Sequence, residues 1–140
     1  MTSIIIVSWN VKKLLRACLA SIILHSQVVD YEIIVIDNNS HDGTAEMVRS
    51  EFPNVRLIAN DFNAGFSTAN NMGLAKAAGG HVLFMNPDME FTENTLVKMR
   101  DFMDSHPSAF IATAALKYGD GSRQNNIKRL PDFWSQALIA

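Results

Sequence analysis

At 140 residues the chain is long enough for one domain with a real core and too short for two comfortable ones. Hydrophobic residues make up 48% and charged residues 19%, the balance of an ordinary soluble globular protein. Fourteen acids against twelve bases leave a net charge of −2, and without a long basic run there is no electrostatic footprint for nucleic acid.

Met1-Thr2-Ser3 leads at once into an apolar strand, with no basic region or small-residue cleavage site, so no signal peptide is expected. Ile4-Ile5-Ile6-Val7 is a continuous β-branched run, the pattern of a parallel strand covered on both faces. Val11, Leu14, Leu15, Cys18, Leu19 and Ile22 then recur at helical spacing, with Lys12, Lys13 and Arg16 off that face. Cys18 reads as a small core residue, and a lone cysteine permits no disulfide framework, which is compatible with a reducing cytoplasm.

Tyr31 to Asp37 repeats the buried-strand pattern, and a helix from about Gly43 to Phe52 follows with Ser40 or Asp42 as its cap. Val55 to Asn60 is a third strand. Asp61 to Phe66 reads as a loop, and a helix of small residues runs from about Ser67 to Ala78, stopped by Gly79-Gly80. The fourth strand is His81 to Met85, ended by Asn86-Pro87-Asp88 because Pro87 cannot donate to a sheet ladder. Leu96, Met99, Phe102 and Met103 define a further helix with Thr92 as its cap, and Ala109 to Leu116 is a candidate fifth strand. Pro131 to Ala140 starts a last helix. No apolar run approaches the length of a membrane span; attachment through segments outside this chain is left open. Strands alternating with helices over short connections predict an α/β fold, an open mostly parallel sheet flanked by helices.

In such sheets ligands bind beyond the carboxyl ends of the strands, and two strands here end in acids. Asp88 suits a hard divalent cation, Mg²⁺ or Mn²⁺, whose other ligands would be diphosphate oxygens and water; Asn86 adds a neutral amide oxygen. An Asn-Pro turn is the bland alternative. Asp37 can accept hydrogen bonds from a base N–H or ribose hydroxyls, whereas Ser40 and Asp42 read as helix caps. For Ser8 and Asn10, capping and ligand contact stand as equal readings, and Trp9 reads as a core or staple residue. No glycine occurs between Met1 and Ser40 and no Gly-Lys-Ser/Thr element occurs anywhere, which argues against dinucleotide and P-loop sites. Gly65 permits an unusual backbone angle, and Asn70 and Asn71 are poor helix formers inside a helix, open to sugar contact or local capping. Glu90 is a weaker metal candidate, and His25, His41, His81 and His106 lack metal-ligand spacing.

Val7-Ser8-Trp9-Asn10, Ile36-Asp37-Asn38-Asn39-Ser40 with Asp42-Gly43-Thr44, Asn63-Ala64-Gly65-Phe66 with Asn70-Asn71-Met72-Gly73, and Met85-Asn86-Pro87-Asp88 stand in one order along the chain. In that order they resemble glycosyltransferase family 2, in particular its rhamnosyltransferase-like bacterial members. Asp120-Gly121-Ser122 with Gln124, and Arg129-Leu130-Pro131, look like a later loop of that subgroup.

The resemblance implies a GT-A fold and inverting transfer from a UDP- or dTDP-sugar donor to a saccharide or polyprenyl-linked acceptor, in cell-surface polysaccharide synthesis. It carries nucleotide contact to Ser8, Asn10 and Asp37, with Asp37 near the pyrimidine, and the metal–diphosphate role to Asp88; Asn39, Gly65, Asn70 and Asn86 complete the expected nucleotide-sugar-binding set. Asn86 stands where the family has the first acid of a DXD-type element, and His81 replaces an acid common at that strand's start. It also implies that residues 1–140 are a donor-binding portion, inactive alone, with the general base and acceptor-binding part outside the chain. The location it implies is cytoplasmic, peripheral to the inner face of a membrane. A non-catalytic nucleotide-sugar-binding module is the alternative; a nucleotidyltransferase is disfavoured by the lack of a glycine- and lysine-rich loop near the N-terminus.

Overall fold

The computed structural model describes residues 1–125. Its centre is a sheet of four parallel strands in the order β3-β2-β1-β4: β1 (Thr2–Ser8), β2 (Tyr31–Asp37), β3 (Arg56–Ala59) and β4 (His81–Met85). The helices between and after them are α1 (Lys12–His25), α2 (Thr44–Glu51), α3 (Phe66–Leu74) and α4 (Thr95–Ser105).

Alternation along the central strands divides the core in two. Ile4, Ile6, Ile33 and Val35 face α1 and α2, where they pack with Leu15, Cys18, Leu19, Ile22, Met47 and Val48. Ile5, Ile34 and Ile36 face the other way, against Ala69 of α3. The unbroken β-branched runs of β1 and β2 are therefore the residues of two cores at once, each buried isoleucine stabilising the fold by about 1.5–3 kcal/mol relative to exposure. The α3 helix lies close to its face because Gly73 leaves room: a Cβ there would come within 2.6 Å of Ile5 Cγ2 and 2.7 Å of Ile36 Cδ1.

Three elements differ from the sequence expectation. The third helix ends at Leu74, four residues before Ala78. At the amino end of the sheet Glu32 Oε1 accepts from the Ala78 amide at 2.7 Å and Ser3 Oγ from the Gly79 amide at 2.8 Å, so that stretch is drawn off the helix to tie β4 to β1 and β2. Ala109 to Ala115 forms no strand. Among the described residues strand structure resumes in a short antiparallel pair, β5 (Leu116–Lys117) and β6 (Arg123–Gln124), separate from the main sheet.

In α4 the N-cap is Asn94 rather than Thr92, Leu96 alone is buried, and Phe102 stacks on His106 at 4.2 Å. The helix expected from Pro131 and the Arg129-Leu130-Pro131 element lie outside the described residues.

Among the described residues, β4 pairs only with β1, and Val82 and Phe84 are exposed on the α3 side. No helix there is long and apolar enough to cross a membrane.

Candidate functional site

Parallel pairing in register sets Ser8 beside Asp37, at the carboxyl ends of the two central strands and on the α1/α2 face. The Asn38 amide donates to the Ser8 carbonyl at 2.8 Å, continuing the ladder for one residue. Both chains then turn sharply through left-handed asparagines, Asn10 with φ 54° and Asn39 with φ 62°; asparagine is among the few side chains that adopt this conformation readily.

The two turns are stitched together. His41 N donates to Asn10 Oδ1 at 2.8 Å and Asn10 N donates to Ser40 Oγ at 2.9 Å. Ser40 Oγ in turn donates to Asp37 Oδ1. Ser40 is thus no helix cap; that work falls to Asp42. Its Oδ1 accepts from Thr44 N at 3.1 Å and Thr44 Oγ1 at 2.6 Å, and its Oδ2 accepts from Lys12 N at 2.8 Å, so one carboxylate serves the first turns of both α1 and α2. Burial opposes its ionisation, but the Thr44 hydroxyl and the Lys12 and Thr44 amides outweigh that and hold its pKa below the usual value.

Asp37 is 2% and Ser8 1% exposed, and the buried Ser8 Oγ has no hydrogen-bond partner among the described residues. An orphaned buried hydroxyl is costly unless something meets it, and here it lies beside a buried acid at a strand end. Trp9 is not in the core: its ring is 56% exposed at the rim of this pair of turns.

Asn38 links this region to the α3 side. Its Oδ1 accepts from Asn60 Nδ2 at 2.9 Å, and its Nδ2 donates to the Gly65 carbonyl at 3.3 Å. Gly65, with φ 77°, starts α3 and donates its own amide to Asn63 Oδ1 at 2.9 Å. Asn70 Nδ2 donates back to the Phe66 carbonyl at 3.0 Å, a local bond within the helix. Asn70 also lines a shallow cavity of about 360 Å³ with Phe66, Ser67, Asn71 and Phe84; neither Asp37 nor Asp88 borders it.

The end of β4 is built differently. Its strand is separated from β2 by β1 alone, two strand spacings or about 10 Å. The Asn86 carbonyl accepts from Met89 N at 3.2 Å in a tight turn and lies 3.9 Å from Cys18 Sγ. Asn86, Asp88 and Glu90 are exposed. Burial first, then the charges of Glu90 and Asp88, push the Cys18 thiol up to about 12, so Cys18 is an inert core group and both acids stand near α1.

No hydrogen bond or ion pair holds the Asp88 carboxylate among the described residues, and no group of three or more His, Cys, Asp or Glu there could cage a metal. One exposed carboxylate with a neutral amide does fit a cation that draws most of its ligands from a diphosphate and water.

An open parallel sheet with helices on both faces defines an α/β protein, and in such sheets the ligand crevice lies beyond the carboxyl ends of the strands. The chain matches the family described as Glycosyl transferase family 2 over residues 3–138 and belongs to that family. It is 35% identical over 125 residues to a Mycobacterium tuberculosis PGL/p-HBAD biosynthesis glycosyltransferase, a match covering 86% of this chain and 46% of that one. The chain thus spans about half the length of the curated relatives of that kind.

Among solved structures, S. aureus TarS 1-349 in complex with UDP superposes with a TM-score of 0.68 at 26% identity, over 76% of this chain and 32% of that one. The mannosyltransferase PcManGT from Pyrobaculum calidifontis, in complex with GDP-Man and Mn²⁺, gives 0.67 at 25% identity over 73% and 32%. These likenesses bear out the GT-A-type sheet expected from the sequence.

Of the candidate residues, Ser8, Asn10, Asp37 and Asn39 gather at one end of β1 and β2, with Gly65 joined through Asn38. Asn86 and Asp88 lie one strand beyond, and Asn70 lies on the opposite face. Sequence reasoning misses two residues of this region, Trp9 at its rim and Asn38 at its link to α3. Asn38 had a readable signal, the first of two amides directly after a strand-ending acid; Trp9 had none, because exposure of an aromatic is set by the path of the turn.

Proposed function

We propose that residues 1–140 form the donor-binding portion of an inverting glycosyltransferase that takes a UDP- or dTDP-sugar and glycosylates a saccharide or lipid-linked acceptor. The observation that carries this reading is the pair of acids, Asp37 and Asp88, at the carboxyl ends of strands flanking β1, one locked and one open. Complexes of TarS with UDP and UDP-GlcNAc support a nucleotide-sugar donor, as does the GDP-Man complex of PcManGT.

Asp37, an acceptor-only carboxylate when ionised, receives the N3–H of uracil or thymine. The exposed Trp9 ring offers a face for the base to stack on, and the unpartnered Ser8 hydroxyl offers a bond to the ribose. Asp88 with the Asn86 amide oxygen would hold Mg²⁺ or Mn²⁺ against the diphosphate, a reading supported by Mn²⁺ in the PcManGT complex. Such a cation, when bound, offsets charge on the departing diphosphate. The acceptor hydroxyl attacks the anomeric carbon from the face opposite that leaving group, and its proton passes to a base contributed from outside these residues. The chain alone is accordingly a donor binder and not a transferase. A reduced, buried Cys18 fits a cytoplasmic setting at the membrane's inner face.

Titration of the chain with UDP and CDP, each with and without Mn²⁺, tests the assignment. UDP should bind and gain affinity from the metal. CDP should bind far more weakly, because cytosine N3 presents a lone pair to Asp37. Equal binding of the two, indifferent to Asp37→Ala and Asp88→Ala, removes the proposal.

A further inference from the structure

The loop that carries Asp88 is free in its acidic side chains and fixed in its backbone. Asn86, Asp88 and Glu90 are exposed, yet both ends of the stretch from Asn86 to Phe91 are tied to α1. At the near end the Asn86 carbonyl takes the Met89 amide at 3.2 Å and meets the Cys18 thiol at 3.9 Å, a weak bond. Burial first keeps that thiol protonated, its pKa pushed up to about 12, so it has a hydrogen to give. At the far end the Phe91 amide donates to Ser21 Oγ at 3.0 Å, and the Phe91 ring packs in the core that also receives Leu83 and Met85 of β4. Cys18 and Ser21 stand one helical turn apart, so a single face of α1 holds both ends of the loop.

Ser21 is out of place as a helix former. It is 8% exposed in the interior of α1, where alanine or leucine would suit both helix and core better. Its hydroxyl hydrogen is committed to the Cys18 carbonyl at 2.7 Å, which leaves the oxygen as an oriented acceptor for the Phe91 amide. Resting on the metal–diphosphate reading of Asp88 above, we propose that Ser21 is a positioning residue: by holding the Phe91 amide it sets the place from which Asp88 meets the cation. The Asp88 carboxylate makes no hydrogen bond among the described residues, so its location is inherited from the backbone of residues 86–91. A side chain free to turn can complete a cation's shell only if the backbone beneath it stands at the right distance. Without the Ser21 oxygen the Phe91 amide is a buried donor with no acceptor, and the loop must lift towards water to satisfy it. That movement displaces Asp88. The turns after β1 and β2 stay where they are, because Asn10, Ser40 and Asp42 hold them instead.

Calorimetric titration of the chain with UDP, with and without Mn²⁺, as wild type, Ser21→Ala and Ser21→Thr, tests this; the quantity read is the affinity that the metal adds. Ser21→Ala should lower UDP affinity in Mn²⁺ by about 10-fold, the low end for groups that support a metal ligand, and shift metal-free affinity by less than about 2-fold. Deuterium exchange at the Phe91 amide, followed by NMR, should quicken in the same variant. Ser21→Thr, whose hydroxyl can still bond the preceding turn, should restore both. A metal gain that survives in Ser21→Ala, or UDP weakened equally with and without metal, marks a merely structural serine and overturns the inference while the donor-binding reading stands. So does a Thr variant that behaves like Ala. A wild type that binds UDP with no gain from Mn²⁺ overturns the inference together with the metal role of Asp88. Should Ser21→Ala not fold, Ser21→Cys replaces it: sulfur accepts the Phe91 amide more weakly and should lower the metal gain, and an unchanged gain overturns the inference.

Discussion

The two acid-ended strands make opposite use of the same side-chain type. At the end of β2 the Asp37 carboxylate is buried and held by Ser40, within turns that Asn10, Asn38 and Asp42 bind to each other and to the first turns of α1 and α2. At the end of β4 Asp88 stands exposed, with no hydrogen bond to fix it among the described residues. A site that must discriminate between bases needs its acceptor pointed in advance, since specificity comes from donors and acceptors that cannot adapt. A carboxylate that takes one place in a shell shared with diphosphate and water needs no such support, because the ligand completes it. The locked end contributes to folding; the open end contributes only when occupied.

The sharpest way to break that contrast is to remove each acid. Asp37→Ala leaves the Ser40 hydroxyl and amide without their acceptor. It should cost about 1–3 kcal/mol of stability, seen as a lower Tm, and weaken UDP by about 10- to 100-fold. Asp88→Ala should leave Tm unchanged and abolish the gain that Mn²⁺ gives to UDP binding in calorimetry. A Tm drop in Asp88→Ala equal to that in Asp37→Ala would erase the distinction. Trp9→Ala comes next: loss of base stacking should weaken UDP by about 1 kcal/mol, or about 5-fold, with little change in Tm because the ring is already exposed.

Much of this architecture was legible in the residues. Ile4 to Val7 and Ile33 to Ile36 read as strands with two covered faces from their unbroken β-branched runs, and the two cores bear that out. What failed to show depended on partners distant in sequence. Ala75 to Ala78 is good helix material, yet Glu32, 46 residues from Ala78, captures its amide and ends the helix early. Ala109 to Ala115 carries Phe110, Ile111 and Thr113 among four alanines and has no strand alongside it among the described residues, and a strand without a partner is only a pattern. Ser40 sits four residues before a helix, where a hydroxyl ordinarily caps. Its actual role needed Asn10, thirty positions earlier, to be folded back against it.

Smaller effects separate the functional edge from the rest of the sheet. Asp42→Ala frees the Lys12 and Thr44 amides at two helix starts and should cost about 1 kcal/mol. The turns it anchors carry Asn10 and Ser40, so UDP should weaken a few-fold alongside. Glu32, at the amino end of the sheet, provides the counterpart with no ligand effect. The Ser3 hydroxyl first, then the Ala78 amide, lower its pKa against a partial burial that opposes them, with Arg56 assisting. A carboxyl whose folded pKa lies below its unfolded value stabilises fully above the unfolded value, near 4.3 for glutamate, and loses that contribution as pH falls through the folded value. Glu32→Gln should therefore lower Tm at pH 7 by an amount that shrinks on acidification below about pH 4, with UDP affinity untouched throughout. A UDP effect from Glu32→Gln would mean that the two ends of the sheet are coupled, and that the locked turns at β1 and β2 are not an independent unit.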